Sequence, residues 1–338
     1  MKRISIPLIL LVLLLANANY SCKKEPELRV GLVSGFGSLH DGGFNEMALN
    51  GLMAADDELA ISWDVKECNT IADIESNIWL FARGDFDVII ALGFNAVTPI
   101  VDAAKAYPGK KFILIDYALE PTPENITSVV YQVDEASFPC GYLAAWWSNQ
   151  KDSVNPVVGY VAGPKIPEID QFTVSFAKGI EYFNTRYHKS VDLLGVNATD
   201  FNDTLQGARL ADSLIQKGAK VIFACGGHMG NGALYKAKEY GISAIGVDSD
   251  QYYTIPAIAP ILLTSCMKRL DNSVYMELKS IFNNQYHGGQ ILHSDLENNG
   301  VDLAPYHDYE SQISNTIKNE IQAIKSGIKN GTISTGWK

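Results

Sequence analysis

Metal and redox signatures are missing from this 338-residue chain. Of its five cysteines none stands in CxxC or zinc-type spacing, and its six histidines form no HxxxH or HExxH pair, which excludes the common zinc sites. Asp248-Ser249-Asp250 lacks the further ligands and the glycine of a calcium loop, so no metal is expected. A GxSxG elbow and a GxxxxGK[ST] phosphate loop are absent too. The stretch from Gly35 to His40 puts His where a dinucleotide fingerprint needs its third small residue, and the glycine-rich run from Gly226 to Gly232 has no Lys at its end. No cofactor is expected. Positive charge is also short: a formal net charge of −11, with no Lys/Arg run interleaved with aromatics, excludes a nucleic-acid polymer as partner.

Long apolar runs are confined to the N-terminus. Lys2 and Arg3 precede the run from Ile4 to Ala16, which is too short to span a bilayer comfortably and leads into small and polar residues ending at Tyr20-Ser21-Cys22. Residues 1–22 therefore read as a secretory signal with a cysteine at the cleavage point, resembling a bacterial lipoprotein site at which Cys22 is acylated with palmitate. Asn19 stands where an apolar residue is the stronger signal, and a plain signal peptide or an uncleaved anchor are the alternatives. Residues 23–27, Lys-Lys-Glu-Pro-Glu, serve as a tether. Cys68, Cys140, Cys225 and Cys266 remain. Two disulfides are arithmetically possible, but Cys140 lies in an apolar helix-like run and Cys225 ends an apolar strand-like run, which favours buried free thiols.

What the chain does contain is a globular composition, with 47% hydrophobic and 19% charged residues, enough for one large or two medium domains. Apolar strand-like runs alternate with helical ones. Candidate strands are Leu28–Val33, Ser62–Lys66, Asp87–Leu92, Lys111–Ile115, Ile126–Tyr131, Val157–Ala162, Ser190–Val196, Lys220–Ala224, Ile242–Val247, Ile261–Thr264 and Gln290–His293. Helix-length segments separate most of them, among them Phe44–Ala60, Asn95–Tyr107, Ala136–Asn149, Thr204–Lys217 and Gly230–Tyr240. This alternation implies an α/β fold with parallel sheets flanked by helices, and so many strands imply two lobes.

In such sheets ligands bind beyond the carboxyl ends of the strands. There the first half offers His40-Asp41-Gly42-Gly43-Phe44-Asn45, Gly93-Phe94-Asn95 and Asp116-Tyr117. The second offers Gly163-Pro164, Asp200-Phe201-Asn202-Asp203, Cys225-Gly226-Gly227-His228 and Asp248-Ser249-Asp250. Singly these residues are ordinary: Asp41 and Asp203 suit helix N-caps, Gly226-Gly227 suits a tight turn, and a Phe is usually core. Jointly they suggest more. Phe44 and Phe201 stand amid polar residues at what read as equivalent positions of the two halves, where two rings can sandwich a flat ligand while Asp41, Asp116 and Asp248 accept hydrogen bonds from its rim. A flat ring with donors and hydroxyls describes a nucleoside. A nucleoside hydrolase would gather similar acids, but it needs a water-activating constellation, and only scattered carboxylates are present, so binding without catalysis is the favoured reading.

The segment SGFGSLHDGGFNEMALNGL (34–52) resembles the opening motif of the basic membrane protein family of receptor lipoproteins. The resemblance continues at KFILID (111–116), SVVYQVDEASFPCGYLAA (128–145), GAKVIFACGG (218–227), AIGVDSDQ (244–251) and TSCMKRLDNSVY (264–275). It implies a type I periplasmic-binding fold of two hinged lobes, the substrate-binding component of a transporter for purine nucleosides such as inosine, guanosine or adenosine. An ABC permease and ATPase would be its partners, and the protein would be a monomer held at the membrane outside the cytoplasm by its lipid. By matching motif, Phe44 and Phe201 stack on the base, Asp41 and Asp116, with Asn45 beside them, meet its edge, Gly226 or Gly227 presents backbone amides, and Asp248 with Lys268 holds the ribose hydroxyls. Lys268 carries this role through the resemblance alone; by itself it reads as a solvent lysine opening a helix. The expected partition is 28–133 with 252–285 for the first lobe and 134–251 with 286–338 for the second. Departures from the family pattern fall at His40, in place of the usual Asn, and at Gly42-Gly43, in place of larger polar residues. These bear on base discrimination and pocket shape. A sensor reporting to a membrane kinase uses the same fold and is the second functional class; neighbouring genes would separate the two.

Overall fold

The computed structural model describes residues 28–337, so the signal segment, the tether and Cys22 lie outside the described residues. In chain order the first elements are β1 (Leu28–Phe36), α1 (Phe44–Glu58), β2 (Ile61–Cys68), α2 (Ile71–Arg83), β3 (Val88–Leu92), α3 (Val97–Ala106), β4 (Lys111–Ile115) and β5 (Ile126–Tyr131). Next come α4 (Val133–Lys151), β6 (Val157–Ala162), α5 (Pro167–Tyr187), β7 (Asp192–Asn197), α6 (Thr204–Gln216), β8 (Ala219–Cys225), α7 (Gly227–Glu239), β9 (Ser243–Asp248) and the short α8 (Gln251–Thr254). The chain closes with β10 (Leu262–Lys268), α9 (Leu270–Phe282), β11 (Gln290–Ser294), β12 (Val301–Leu303) and α10 (Asn315–Lys329).

The strands form two six-stranded sheets, β11-β5-β4-β3-β1-β2 and β12-β10-β9-β8-β6-β7, parallel throughout except for the antiparallel edge strand β12. Inner strands are apolar without alternation because both of their faces are covered. Along β3, Val88, Ile90 and Leu92 join the core shared with α1, α4 and α9, while Ile89 and Ala91 join the core under α2 and α3. Helix starts follow local chemistry. Thr70 and Asp73 form a reciprocal capping box on α2, and the Asp203 carboxylate accepts from the Gln206 amide to cap α6.

Most expected strands and helices are found within a few residues, but the expected partition needs correction. Strand β10, placed in the first lobe by sequence, pairs with β9 in the second sheet, and β11, placed in the second lobe, pairs with β5 in the first. The apolar run of β10 continues to Lys268, so the chain crosses back only at Arg269. Alternation of element types does not say which sheet an edge segment joins. The three crossings lie after β5, after β10 and between β11 and β12, and they are tied together by the bonds Gln132 N–H to Ser294 C=O (2.8 Å) and Arg269 N–H to Gly300 C=O (2.9 Å).

The sheet orders also revise the equivalence expected of Phe44 and Phe201. Phe44 opens the helix after β1, whose counterpart is β6, so its topological match is the first part of α5, with Phe172. Phe201 follows β7, the counterpart of β2.

Candidate functional site

The carboxyl ends of both sheets line one cleft enclosing about 950 Å³, open solvent at its mouth included. Asp41, Phe44, Asn45, Asp116, Phe201, Gly226, Gly227, Asp248 and Lys268 all reach its wall. The Phe44 ring lies beside Gly35 and the Phe201 ring rests on Gly163, so each lobe contributes an aromatic surface. Gly226 caps α7, and the Gly227 amide, first of that helix, has no acceptor among the described residues; it offers a donor at a helix N-terminus.

The first-lobe loop is held from within. Asp41 Oδ1 accepts from the Gly43 amide (2.8 Å) and the Glu46 amide (3.2 Å), and Oδ2 accepts from the Asn45 amide (3.0 Å). Glu46 answers by accepting from the Gly42 amide (3.0 Å). The N-cap of α1 is Gly43 and not Asp41 as expected, but the Asp41 carboxylate still satisfies the first amides of the helix from two residues upstream. Burial raises its pKa against the lowering effect of these amide bonds. Asn45 clamps the end of β1: its Oδ1 accepts from the Gly35 amide (2.9 Å) and its Nδ2 donates to the Ser38 carbonyl (3.1 Å).

Asp116 and Asp248 face each other's lobes from backbone in the left-handed region, with φ of 67° and 66°. Such a conformation is uncommon for a residue with a side chain and clusters at functional sites. Lys268, at the end of β10, donates to Asp116 Oδ2 at 2.8 Å, an ion pair that joins the two lobes. Its ammonium also lies 5.3–5.6 Å from the ring centres of Phe172, Phe44 and Tyr131. Burial opposes the charge on Lys268, but Asp116 and Asp248 outweigh it and hold its pKa above the ordinary lysine value. Asp248 is pushed up to about 6, by burial first, with Lys268 pulling the other way and Asp41 and Asp116 adding to the rise. Burial also pushes the Cys225 thiol up, which keeps it neutral and un-nucleophilic. Cys68, Cys140, Cys225 and Cys266 are all free and buried.

Sequence reasoning missed Glu168, Ile169 and Phe172, which reach the cleft from the first turns of α5. Ile169, Phe172, Phe176 and Phe183 form a buried stripe at helical spacing, and nothing in that pattern separates the member that also faces the cleft. Asn95, Asn202 and His228, neighbours of the expected site residues at the strand ends, reach the wall as well. Among the described residues no three His, Cys, Asp or Glu side chains are placed to hold a metal, and no helix is long and apolar enough to cross a membrane.

Known proteins resemble the chain over nearly all of this architecture. It is 27% identical to basic membrane protein A of Borreliella burgdorferi, covering 96% of this chain and 94% of that protein. It is also 27% identical to an uncharacterised lipoprotein of Pyrococcus abyssi, over 89% of this chain and 77% of the relative. In fold it is similar to an ABC transporter solute-binding protein of Aeropyrum pernix, with a TM-score of 0.83, 24% identity and coverage of 91% and 92%. Residues 30–336 match the family described as ABC transporter substrate-binding protein, PnrA-like, a span that contains every cleft residue named above. The chain belongs to this Bmp family of PnrA-like ABC transporter substrate-binding proteins.

Proposed function

We propose that this protein is a lipid-anchored binding component of an ABC importer, capturing purine nucleosides between its lobes and releasing them unchanged. The observation that carries the reading is the composition of the cleft: Phe44 from one lobe and Phe201 from the other, with Asp41, Asp116, Asp248 and Lys268 along the same wall. Two aromatic surfaces suit a flat base, at about 1–3 kcal/mol for each stacked ring. Carboxylates and a buried ammonium suit the base edge and the ribose hydroxyls, at about 1.5–3 kcal/mol for each charged hydrogen bond. After lobe-closure costs this is compatible with about micromolar or tighter affinity. Asp41 and Asn45 act on the ligand chiefly by shaping the loop, since their side chains are engaged with backbone. Gly226 and Gly227 supply amides at the start of α7.

Relatives named as lipoproteins support acylation of Cys22 and a place at the membrane outside the cytoplasm. The family supports a permease and an ATPase as partners; that the binding protein acts as a monomer is part of the proposal. Calorimetry of the mature protein with inosine, guanosine, adenosine, uridine and ribose tests the reading. Purine nucleosides are expected to bind and to be recovered intact. Free base released from inosine by wild-type protein but not by Asp248→Ala would mean a hydrolase, and preference for ribose alone would mean a sugar receptor.

A further inference from the structure

Away from the cleft wall, a second set of contacts joins the lobes. The Gly42 carbonyl, in the first lobe, accepts from Ser249 Oγ (2.6 Å) and Thr254 Oγ1 (2.7 Å), both in the second. The neighbouring Asp41 carbonyl accepts from Asn231 Nδ2 (2.9 Å). Asn231 is braced in turn by Gln251, whose Nε2 donates to Asn231 Oδ1 (3.3 Å) and whose Oε1 accepts from the Val247 amide (3.2 Å). The two hydroxyl oxygens stand 2.9 Å apart, and with one proton each they both donate to the carbonyl only when neither donates to the other. Gly42, Asn231, Ser249 and Thr254 are not on the cleft wall.

The sequence of the loop makes this contact possible. Because the Asp41 carboxylate gathers the amides of Gly43, Asn45 and Glu46, the carbonyls of Asp41 and Gly42 turn outward toward the other lobe. Gly42 has φ +69°, and a Cβ there would stand 2.8 Å from Ile255 Cγ1. Gly42 is therefore where the second lobe seats against the first.

We propose that Gly42, Asn231, Ser249 and Thr254 form a clasp that holds the lobes together with or without ligand, making the three side chains positioning residues for ligand retention. Contacts made only in the closed form raise its population, and a ligand enclosed by closure then leaves more slowly, although the clasp never touches it. The inference rests on the nucleoside reading only for the choice of ligand.

The test uses the mature chain with Cys22→Ser and spin labels on cysteines introduced at the exposed positions Glu75 and Ser213, one on each lobe, the four described native thiols being buried. Interlobe distances are measured without ligand, and inosine dissociation is followed by stopped flow. In Ser249→Ala combined with Thr254→Val, the ratio of closed to open forms is expected to fall by about tenfold, the scale of two lost hydrogen bonds. Inosine dissociation is expected to quicken by a similar factor, with little change in association. Gly42→Ala, which wedges the loop from Ile255, is expected to open the lobes as well and is read alone if the double variant does not fold. An unliganded parent without a closed population, or variants with the parent's distance distribution, would overturn the clasp. Failure of inosine to bind the parent would instead count against the nucleoside reading, and the ligand-free distances would still decide the clasp.

Discussion

Asp116 and Asp248 occupy matching places, at the carboxyl end of the third strand in each sheet order and in the same left-handed conformation, yet their electrostatic situations differ. Asp116 receives the Lys268 ammonium from the opposite lobe. Asp248, on the strand adjacent to that of Lys268, feels the same ammonium without bonding it, and burial, with Asp41 and Asp116, outweighs that pull and lifts its pKa to about 6. One carboxylate therefore pairs across the lobes, while the other stays costly to charge. Four acids on the wall around Lys268, namely Asp41, Asp116, Glu168 and Asp248, are a poor arrangement for an empty interior and a good one for a ligand rich in hydroxyl and N–H donors.

Removing the base should have the largest effect. Lys268→Met deletes the buried ammonium and leaves the half-buried Asp116 and the buried Asp248 without it. Loss of one partner from a buried pair costs about 3–5 kcal/mol. Nucleoside affinity is expected to fall by a hundredfold or more, with a lowered melting temperature in unliganded protein. Calorimetry and thermal unfolding check this. A loss of affinity below tenfold would show that the pair is not what joins the lobes around the ligand.

Titration tests Asp248 directly. The pKa of Asp248 rises in the folded protein from 3.8 to about 6, so its charged form is penalised there. That penalty is absent below pH 3.8 and fully present above pH 6, which means stability from this group is lost as pH rises through that window. Asp248→Asn is expected to gain on the order of 3 kcal/mol of stability at pH 8 and nearly nothing at pH 4. It should also weaken ribosides more than free bases, if the carboxylate meets the sugar. Asp116→Asn should show no such gain at pH 8, because it breaks the pair with Lys268. A stability difference for Asp248→Asn that does not change between pH 4 and pH 8 would remove the assignment.

Phe44→Ala and Phe201→Ala are each expected to weaken nucleoside binding by about 1–3 kcal/mol. Phe44 should lie toward the upper end, since its ring also flanks Lys268, 5.5 Å from the ammonium. Phe201 has no such second duty. Calorimetry on the two folded variants decides; normal binding in both would make the rings bystanders.

Much of this was legible from residues. The run Lys111–Ile115 ends where the observed strand ends. Asp41, Phe44, Asp116, Phe201 and Asp248 all stand at or just beyond strand ends, where a ligand is to be expected because a parallel sheet delivers those ends to one edge. Lys268 was legible only by resemblance. Its run, TSCMKR, looks like a strand passing into a solvent-exposed helix start, and only the crossover at Arg269 turns it inward. Phe172 was hidden in a core stripe. The misplaced lobe boundary has the same origin: a sequence shows that β10 and β11 are strands, but edge pairing is settled by tertiary packing of α9 on α1 and by the crossings between sheets.

The smallest expected effect separates carboxylates that hold the fold from those that face the cleft. Asp203 stands beside Phe201 and looks from sequence like another strand-end acid, but its Oδ1 accepts from the Gln206 amide at 2.8 Å and it does not reach the cleft wall. Its role is that of a helix N-cap, for which replacement by alanine costs about 1 kcal/mol. Asp203→Ala should lower the melting temperature modestly while nucleoside affinity stays within about twofold, since a well-separated cap and a binding group contribute nearly independently. The distinction matters because Asp41 both bonds the first amides of α1 and reaches the cleft, whereas Asp203 only caps a helix. If Asp203→Ala weakens binding as much as Phe201→Ala does, the cap holds the Phe201 ring in place, and the loop before α6 belongs to the binding machinery as a unit.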